Sequence, residues 1–416
     1  MNALKARLIL ATIMLVSLLG TAGIALPYPL LSPYFAADNS ENIIQFWSLD
    51  PKILLGLTLA SYPLGILIGS NIIGSLSDRY GRKPILIYSL SGSILGYMLT
   101  AITFEHELFL GFIFARFVTG FCEGNMAIAR AIAVELEPYI ERGRALSLLY
   151  STIYGGWLIG PLCGGYLAPY GIDFAFYVAS LAVAASLLMV IFILPGQPAQ
   201  KPAQSSLWQE IISNHSATLL ANREIRRFFI YYLVFTLGIN AFYEFYPLWL
   251  VESHQFSSQE IAWATVGITS LMILLSATIA NKIPEVLGEK TALLVGNLLF
   301  GGLILLTTLM HNQWIYITLS LTGAVIAVIN LVFPAMLSRY FGHLGQGKVM
   351  GLQVSFFCFS NVLIALIGSI VSLISATTTM WLAASLIILS VFLFNPPKSL
   401  EISAGDQPID PSIIKE

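Results

Sequence analysis

Apolar residues dominate this chain in runs of about 20, and short clusters of polar and charged residues separate the runs. A helix rises ~1.5 Å per residue, so a run of this length crosses the ~30 Å hydrocarbon core of a membrane. The pattern predicts twelve membrane-spanning helices, which we number span 1 to span 12. Their predicted bounds are 8–31, 53–76, 85–104, 108–133, 144–167, 174–194, 228–251, 260–281, 291–310, 314–338, 349–373 and 378–395.

The predicted spans form two sets of six, separated by one long internal connection. This connection begins with Pro195-Gly-Gln-Pro198, which is too rich in proline to be helical. Further on, Ser206 and Gln209 have the spacing of a capping box for a helix lying on the inner leaflet, with a loosely ordered linker as the alternative. The predicted organisation is a six-helix bundle (1–195), a cytoplasmic linker (196–227), a second six-helix bundle (228–396) and a cytoplasmic tail (397–416).

Composition and charge agree with an all-α membrane protein. Apolar residues make up 57% of the chain and charged residues 10%, against about 25% charged in soluble domains. Of the 20 lysines and arginines, all but Lys52, Arg116 and Arg130 fall at the end of the spans that carries both termini. Basic residues favour cytoplasmic loops, so both termini are predicted to be cytoplasmic, in a bacterial inner membrane.

The charge balance also bears on partners. A formal net charge of −2 gives no indication of a nucleic-acid partner. The apolar spans make the lipid bilayer an expected partner. The chain is expected to act as a monomer, without a cofactor or a metal ion.

The turn between spans 2 and 3 has the sequence Gly74-Ser-Leu-Ser-Asp-Arg-Tyr-Gly-Arg-Lys-Pro84. So short a turn needs a flexible glycine, and an acid near the helix end pairs with neighbouring basic residues. The stretch resembles the signature loop of the major facilitator superfamily. The resemblance implies two six-helix bundles related by an axis along the membrane normal, and a cytoplasmic latch between them. The residues it assigns to this latch are Gly74, Asp78, Arg79, Gly81, Arg82 and Lys83.

Span 5 contains a stripe of small residues. Gly156, Gly160 and Gly164 are four residues apart, so they share a helix face that another backbone can approach closely. Pro161 loosens the same helix. With Gly165, the stretch resembles the G-x-x-x-G-P-x-x-G-G element of drug and metabolite antiporters in the superfamily. The resemblance implies export, and ordinary helix packing is the alternative explanation.

Four ionisable residues lie well inside predicted spans: Arg116, Glu123 and Arg130 in span 4, and Glu244 in span 7. Each costs ~2.5–3.5 kcal/mol at the centre of an inserted helix, so they should face the protein interior or a wet cavity. The spacing of seven residues predicts one polar stripe along span 4. We predict that these groups couple transport to protons, with Glu123 first and Glu244 second, and structural ion pairs as the alternative. The stretch from Arg116 to Gly120 also resembles the family's R-x-x-q-G element, whose arginine is implied to assist proton transfer.

The resemblance further implies that spans 1, 4, 7 and 10 line a central cavity. Polar and aromatic side chains there are candidate substrate contacts, and packing roles are the alternative. The candidates are Tyr28, Trp157, Asn240, Tyr243 and Asn330. Arg116 and Arg130 favour a substrate that carries a carboxylate.

The predicted function is export of a small organic compound in exchange for protons, by alternating access. A drug-like molecule or a carboxylate-bearing metabolite such as a siderophore is the expected substrate. The main alternative is a proton-coupled uptake symporter for a sugar, an amino acid or an organic acid, and a transport-inactive sensor is a further one. The sequence contains no H-E-x-x-H stretch and no paired acids of a membrane enzyme, so the chain is not expected to be an enzyme.

Overall fold

The computed structural model describes residues 2–36, 46–196, 216–280 and 282–394. The predicted interfacial helix near Ser206 and the predicted tail at 397–416 lie outside these ranges. Within them, the chain is built from α-helices joined by short turns and 3₁₀ segments.

Twelve described helices are long and apolar enough to cross a membrane, which confirms the predicted all-α fold. Most of them begin a few residues before the predicted apolar run, since polar caps start a helix outside the hydrocarbon core, and their ends lie within a few residues of the predicted ends. Span 7, for example, begins at Arg223, where the Asn222 side chain accepts a hydrogen bond from the Glu224 amide. The spans are Ala3–Ala36, Pro51–Tyr80, Arg82–Glu105, Phe109–Glu135, Arg144–Tyr170, Ile172–Ile193, Arg223–His254, Ser258–Thr278, Glu289–Thr308, Gln313–Leu344, Lys348–Ser372 and Ala376–Leu393.

Two spans are broken near their middle. Span 1 consists of helices Ala3–Ala25 and Pro27–Ala36. The break follows from Pro27 and Pro29, which have no amide hydrogen to donate within the helix. Span 4 is interrupted by a 3₁₀ turn at Glu123–Asn125, so its predicted acid lies at the break itself.

The two halves repeat one plan. Gly81 between spans 2 and 3 and Gly288 between spans 8 and 9 have similar backbone angles, φ 95° and 78°, which only glycine adopts readily. Each half then ties the start of its third span to the end of its fourth. Nε of Arg82 pairs with Glu135 at 3.1 Å in the first half. In the second half the signs are exchanged, because Glu289 pairs there with Arg339 at 2.8 Å.

Spans 2 and 5 of the first half pack against spans 11 and 8 of the second. We call the end of the bundle that carries Ala3 and Leu393 the inner end, following the predicted orientation, and the opposite end the outer end. Several contacts between the halves lie near the outer end. A side chain at Gly56 would meet Ser369, and one at Gly165 would meet Ala262.

Candidate functional site

Spans 2 and 4 approach each other closely through glycine. A Cβ atom at Gly120 would meet the backbone oxygen of Tyr62, and one at Gly124 would meet the backbone of Ser70. Any larger residue would separate the two helices. This close packing places the side chain of Tyr62 against the break of span 4, where Glu123 lies.

Glu123, Arg116 and Tyr62 form a buried cluster between these spans. The Tyr62 hydroxyl donates a hydrogen bond to Oε2 of Glu123. The guanidinium of Arg116 lies over the Tyr62 ring at 4.5 Å from its centroid, and over the Phe176 ring of span 6 at 5.5 Å. Arg116 is 3% exposed and Glu123 7%. The arginine and the acid therefore share one tyrosine, which the sequence did not single out.

The other oxygen of Glu123 faces spans 1 and 3. Oε1 makes no hydrogen bond to any described residue, and neither does the hydroxyl of Tyr97 in span 3. Span 1 passes both groups at Gly23, where an added Cβ atom would meet the Tyr97 hydroxyl and lie 3.7 Å from Glu123 Oε1. A buried carboxylate oxygen without a partner is costly unless it is neutralised, so this position suits a group that gains and loses a proton.

Arg130 lies in a different environment from Arg116 and Glu123. An α-helix turns about 100° per residue and a 3₁₀ helix about 120°, so the turn at Glu123–Asn125 rotates the rest of span 4. The spacing of an ideal α-helix therefore holds from Arg116 to Glu123 but not on to Arg130. Arg130 is half-buried and lies within electrostatic range of Cys358 in span 11, across the junction between the halves.

Glu244 is the second buried acid. It is 1% exposed, and neither of its carboxylate oxygens bonds to a described residue. The phenol of Tyr28, at the break of span 1, lies within electrostatic range of both Glu244 and Arg116. Tyr28 thus lies near both the acid of the second half and the arginine of the first.

Three of the predicted cavity residues meet in one aromatic ladder, which we define as Tyr28, Trp157 and Tyr243. The Tyr28 and Trp157 rings stack with centroids 6.2 Å apart, and the Trp157 and Tyr243 rings lie 5.5 Å apart. Spans 1, 5 and 7 each contribute one ring, so the ladder crosses the junction of the halves. Trp157 and Tyr243 remain partly exposed.

The two predicted asparagines lie away from the ladder. Asn240 is buried, and its Nδ2 donates to the Phe357 oxygen at 3.2 Å and to the Ser360 hydroxyl at 2.9 Å, both in span 11. Its amide donors thus serve helix packing. Asn330 is exposed and lines a cleft in the inner half of the second bundle, between spans 7, 10 and 11.

The glycine stripe of span 5 faces span 1. Side chains at Gly156 and Gly160 would meet the backbone around Ala22, and one at Gly164 would meet the Leu26 oxygen at the break of span 1. The neighbouring Gly165 faces span 8 instead. Span 5 therefore carries one close-packed face for its own bundle and one glycine contact to the other.

Charged residues of the signature loop are bonded within the first half. Arg82 pairs with Asp78 and donates to the Ser77 hydroxyl at 2.8 Å, besides its bond to Glu135. Lys83 donates to the Ile191 and Leu194 oxygens at 2.7 and 2.6 Å, at the end of span 6. Arg79 lies over the neighbouring Tyr80 ring, and Gly74 packs loosely beside span 4.

Lys52, the single basic residue predicted at the outer end, bridges the two halves there. Its Nζ pairs with Glu252 of span 7 at 2.7 Å and donates to the Ser372 oxygen of span 11 at 2.8 Å. Glu252 also accepts the amide of Ala376, at the start of span 12, at 3.2 Å. We call Lys52, Glu252 and Ser372 the outer clamp.

Tyr62, Tyr97 and the outer clamp were not predicted as site residues. A buried tyrosine hydroxyl requires a partner, so tyrosines deep inside spans 2 and 3 were a signal in the sequence. The clamp has a weaker signal, namely an isolated lysine opposite to the general charge bias.

Comparison with known proteins gives one family. The family model of the Major Facilitator Superfamily matches residues 8–284 and 228–415. The chain is 27% identical over 357 residues to the tetracycline resistance protein, class H, of Pasteurella multocida, covering 82% of this chain and 84% of that protein. It is 24% identical over 332 residues to multidrug resistance protein 2 of Bacillus subtilis, covering 76% and 79%.

Solved structures agree in fold. The human organic anion transporter MFSD10 superposes with a TM-score of 0.69 at 21% identity, covering 93% of this chain and 99% of that one. An inward-open structure of the xylose transporter XylE from E. coli gives a TM-score of 0.71 at 16% identity, covering 94% and 96%. At these identities the likeness establishes the twelve-helix architecture alone.

Proposed function

The chain belongs to the Major Facilitator Superfamily, and we propose that it exports a small organic compound in exchange for protons. Its relatives include tetracycline and multidrug resistance proteins, which supports efflux at the level of the class. The family consists of transporters rather than enzymes. We further propose that the chain lies in a bacterial inner membrane as a monomer, with both termini in the cytoplasm.

The observation that best supports proton coupling is the environment of the Glu123 carboxylate. A carboxylate in the middle of a span, with one oxygen bonded to Tyr62 and the other without a hydrogen bond to a described residue, has an environment that tolerates both the charged and the neutral form. Such intramembrane acids commonly mark proton pathways. Glu244, buried near Tyr28 and without a hydrogen bond to the described residues, is the second candidate.

Support for the substrate class comes from the aromatic ladder. Its rings favour a drug-like molecule with a flat aromatic portion, because such a portion can stack against Trp157 and Tyr243. The case for a carboxylate-bearing substrate is weaker than the sequence implied, since the Tyr62 and Phe176 rings cover the guanidinium of Arg116. We therefore favour the drug-like substrate.

In the proposed transport cycle, the central cavity opens alternately to the two sides of the membrane as the two halves move against each other. The closed outer clamp and the cleft at Asn330 in the inner half both support an inward-facing state for this structure. The signature loop is bonded within its own half here, which fits a latch that is released on the cytoplasmic side.

The direction of the proton gradient that drives accumulation of a probe tests whether the chain is an antiporter. The purified chain is reconstituted in proteoliposomes, with tetracycline and ethidium as probes. A proton antiporter accumulates a probe when the vesicle interior is the acid side, whereas a proton symporter accumulates it when the exterior is acid. Accumulation only with an acid exterior would replace export by the uptake alternative.

Glu123→Gln tests the proton site. Glutamine imitates the protonated acid and cannot release the proton, so gradient-driven probe accumulation should fall at least about tenfold, while probe exchange without a gradient persists. Glu224→Gln, at an exposed site in the first turn of span 7, is the matched control. Intact gradient-driven accumulation in Glu123→Gln would move the role to Glu244.

A further inference from the structure

Tyr62 is the side chain that touches both ionisable groups at the centre of the first half. Its hydroxyl bonds to Glu123, and its ring lies against the guanidinium of Arg116. The residue is 2% exposed, so bulk water does not compete for these contacts. Packing alone does not explain a tyrosine at this position, because phenylalanine would fill nearly the same space without the hydroxyl.

The two contacts reinforce each other when Glu123 is charged. A hydroxyl that donates to a carboxylate forms a charge-assisted hydrogen bond, roughly twice as strong as a neutral one. A cation over the ring draws electron density from the phenol, which makes the hydroxyl a better donor. Protonation of Glu123 removes the charge assistance. The Tyr62 contact is therefore strong in one protonation state and weak in the other.

Among the described residues, few other titratable groups face Glu123 from the surrounding helices. Span 3 presents Tyr97, whose hydroxyl makes no hydrogen bond to a described residue. Span 1 presents Gly23, which has no side chain, and Arg116 of span 4 lies against the Tyr62 ring. Within the described part of the chain, the hydrogen bond to this carboxylate thus comes from Tyr62.

Span 2 is placed to transmit a change at Tyr62. The helix runs without a break from Pro51 to Tyr80. Its first turn carries Lys52 of the outer clamp, and its last carries Asp78 of the signature loop. Pro63 directly follows Tyr62 and removes one backbone hydrogen bond, so the helix is weakened next to the contact.

We propose that Tyr62 is a positioning residue that passes the protonation state of Glu123 to span 2, and through it to the outer clamp. When Glu123 is charged, the bond to Tyr62 holds the middle of span 2 against span 4 and keeps Lys52 at Glu252. When Glu123 is protonated, span 2 is freed, so the outer end can open to take up a proton and close again to carry it inward. The inference rests on the proposed role of Glu123.

Outer opening can be measured without a substrate. Nitroxide labels on cysteines at His106 and Gln313, which are exposed at the outer ends of the two halves, report their separation by spin-label distance measurement in proteoliposomes. The native cysteines Cys122, Cys163 and Cys358 are replaced beforehand. The quantity compared is the pH at which half of the molecules are open at the outer end.

Tyr62→Phe keeps the ring beneath Arg116 and removes the hydroxyl. Since the lost bond favours the charged form of Glu123, the acid keeps its proton to higher pH, and the midpoint should move about one pH unit to the alkaline side. Tyr231→Phe is the matched control, because it also removes a buried hydroxyl, one that accepts from Asn297 at 2.9 Å in the other half. Its midpoint should equal that of the parent.

The variants distinguish failure at Tyr62 from failure at Glu123. A midpoint unchanged in Tyr62→Phe, together with a pH response lost in Glu123→Gln, would overturn the role of Tyr62 and leave the proton site standing. A normal pH response in Glu123→Gln would remove the proton site itself. A midpoint shifted equally by Tyr231→Phe would reduce the effect to general destabilisation and likewise overturn the inference.

Discussion

Gly160 lies where span 5 packs closely against span 1. A Cβ atom there would lie 3.0 Å from the Cα of Ala22 and 3.0 Å from the Cβ of Ala25, besides meeting the Ala22 oxygen. Gly160→Leu should therefore force the helices apart and abolish probe export, while insertion into the membrane is retained. Transport assays at equal expression check this expectation.

Gly302 provides the control for this substitution. It lies in span 9, is exposed, and a Cβ atom added there would meet nothing within 4 Å. Gly302→Leu should leave export within about twofold of the parent, because it creates no clash. Equal export by the two leucine variants would mean that close approach of spans 1 and 5 is not needed for transport.

Single residues differed in how far the sequence could predict their surroundings. The burial of Glu123 followed from its place in an apolar run, since charge is costly there. Its hydrogen-bond partner Tyr62 could not be predicted, because Tyr62 and Glu123 are 61 positions apart in the chain and the bond depends on how spans 2 and 4 pack. Asn240 shows the same limit: a polar residue on a cavity helix faces span 11 instead.

The turn between spans 2 and 3 contains the proposed latch, in which Asp78 is the acidic residue. Asp78 is paired with Arg82 in the last turn of span 2, so Asp78→Asn should leave the protein folded and in the membrane. The proposed latch must re-form in every cycle, and its weakening should slow probe transport several-fold with little change in probe affinity. Initial rates across probe concentrations separate the two quantities.

Asp173→Asn makes the same chemical change at the outer end of the first half, in the first turn of span 6. It should leave the transport rate unchanged, since no latch is proposed there. Parental rates in Asp78→Asn would refute the latch, and a loss of probe affinity would assign Asp78 to binding instead.

Element boundaries were predictable to a few residues, whereas breaks inside elements were only partly so. Pro27 and Pro29 were a signal for the break in span 1, because proline lacks the amide hydrogen, although span 1 was predicted as one continuous helix. The 3₁₀ turn at Glu123–Asn125 contains no proline, and it lies where Gly120 and Gly124 pack tightly against span 2. The predicted stripe from Arg116 to Arg130 assumed an unbroken helix, which is why it did not extend that far.

At the scale of the molecule, two bundles of six spans followed directly from the hydrophobic pattern. The conformational state did not, because it depends on contacts between residues far apart in the chain. The outer clamp joins Lys52 to Ser372 across 320 positions. Lys52 itself was visible as the exception to the charge bias, but its partners were not.

We expect the outer clamp to favour the state in which the outer ends of the two halves are together. In this structure the Lys52 ammonium is shared between Glu252 and the Ser372 oxygen, and these contacts exist only when the outer ends of the halves are together. Lys52→Ala removes both bonds. A partly exposed ion pair contributes about 1 kcal/mol at most, so the ratio of outward-open to inward-open molecules should rise about fivefold.

Exchange of the two charges distinguishes a true clamp from a local effect of the lysine. Glu252→Lys alone places two cations together and should open the outer end further, whereas Lys52→Glu combined with Glu252→Lys restores an ion pair of opposite sense. The restoration should be partial, because a glutamate at position 52 cannot donate to the Ser372 oxygen and a lysine at position 252 cannot accept a hydrogen bond from the Ala376 amide.

The distance between labels at His106 and Gln313 measures the outer opening in all three variants. If the double exchange opens the outer end as much as Glu252→Lys does, the ion pair does not hold the halves together, and the packing of span 2 against span 11 around Gly56 must close the outer end alone.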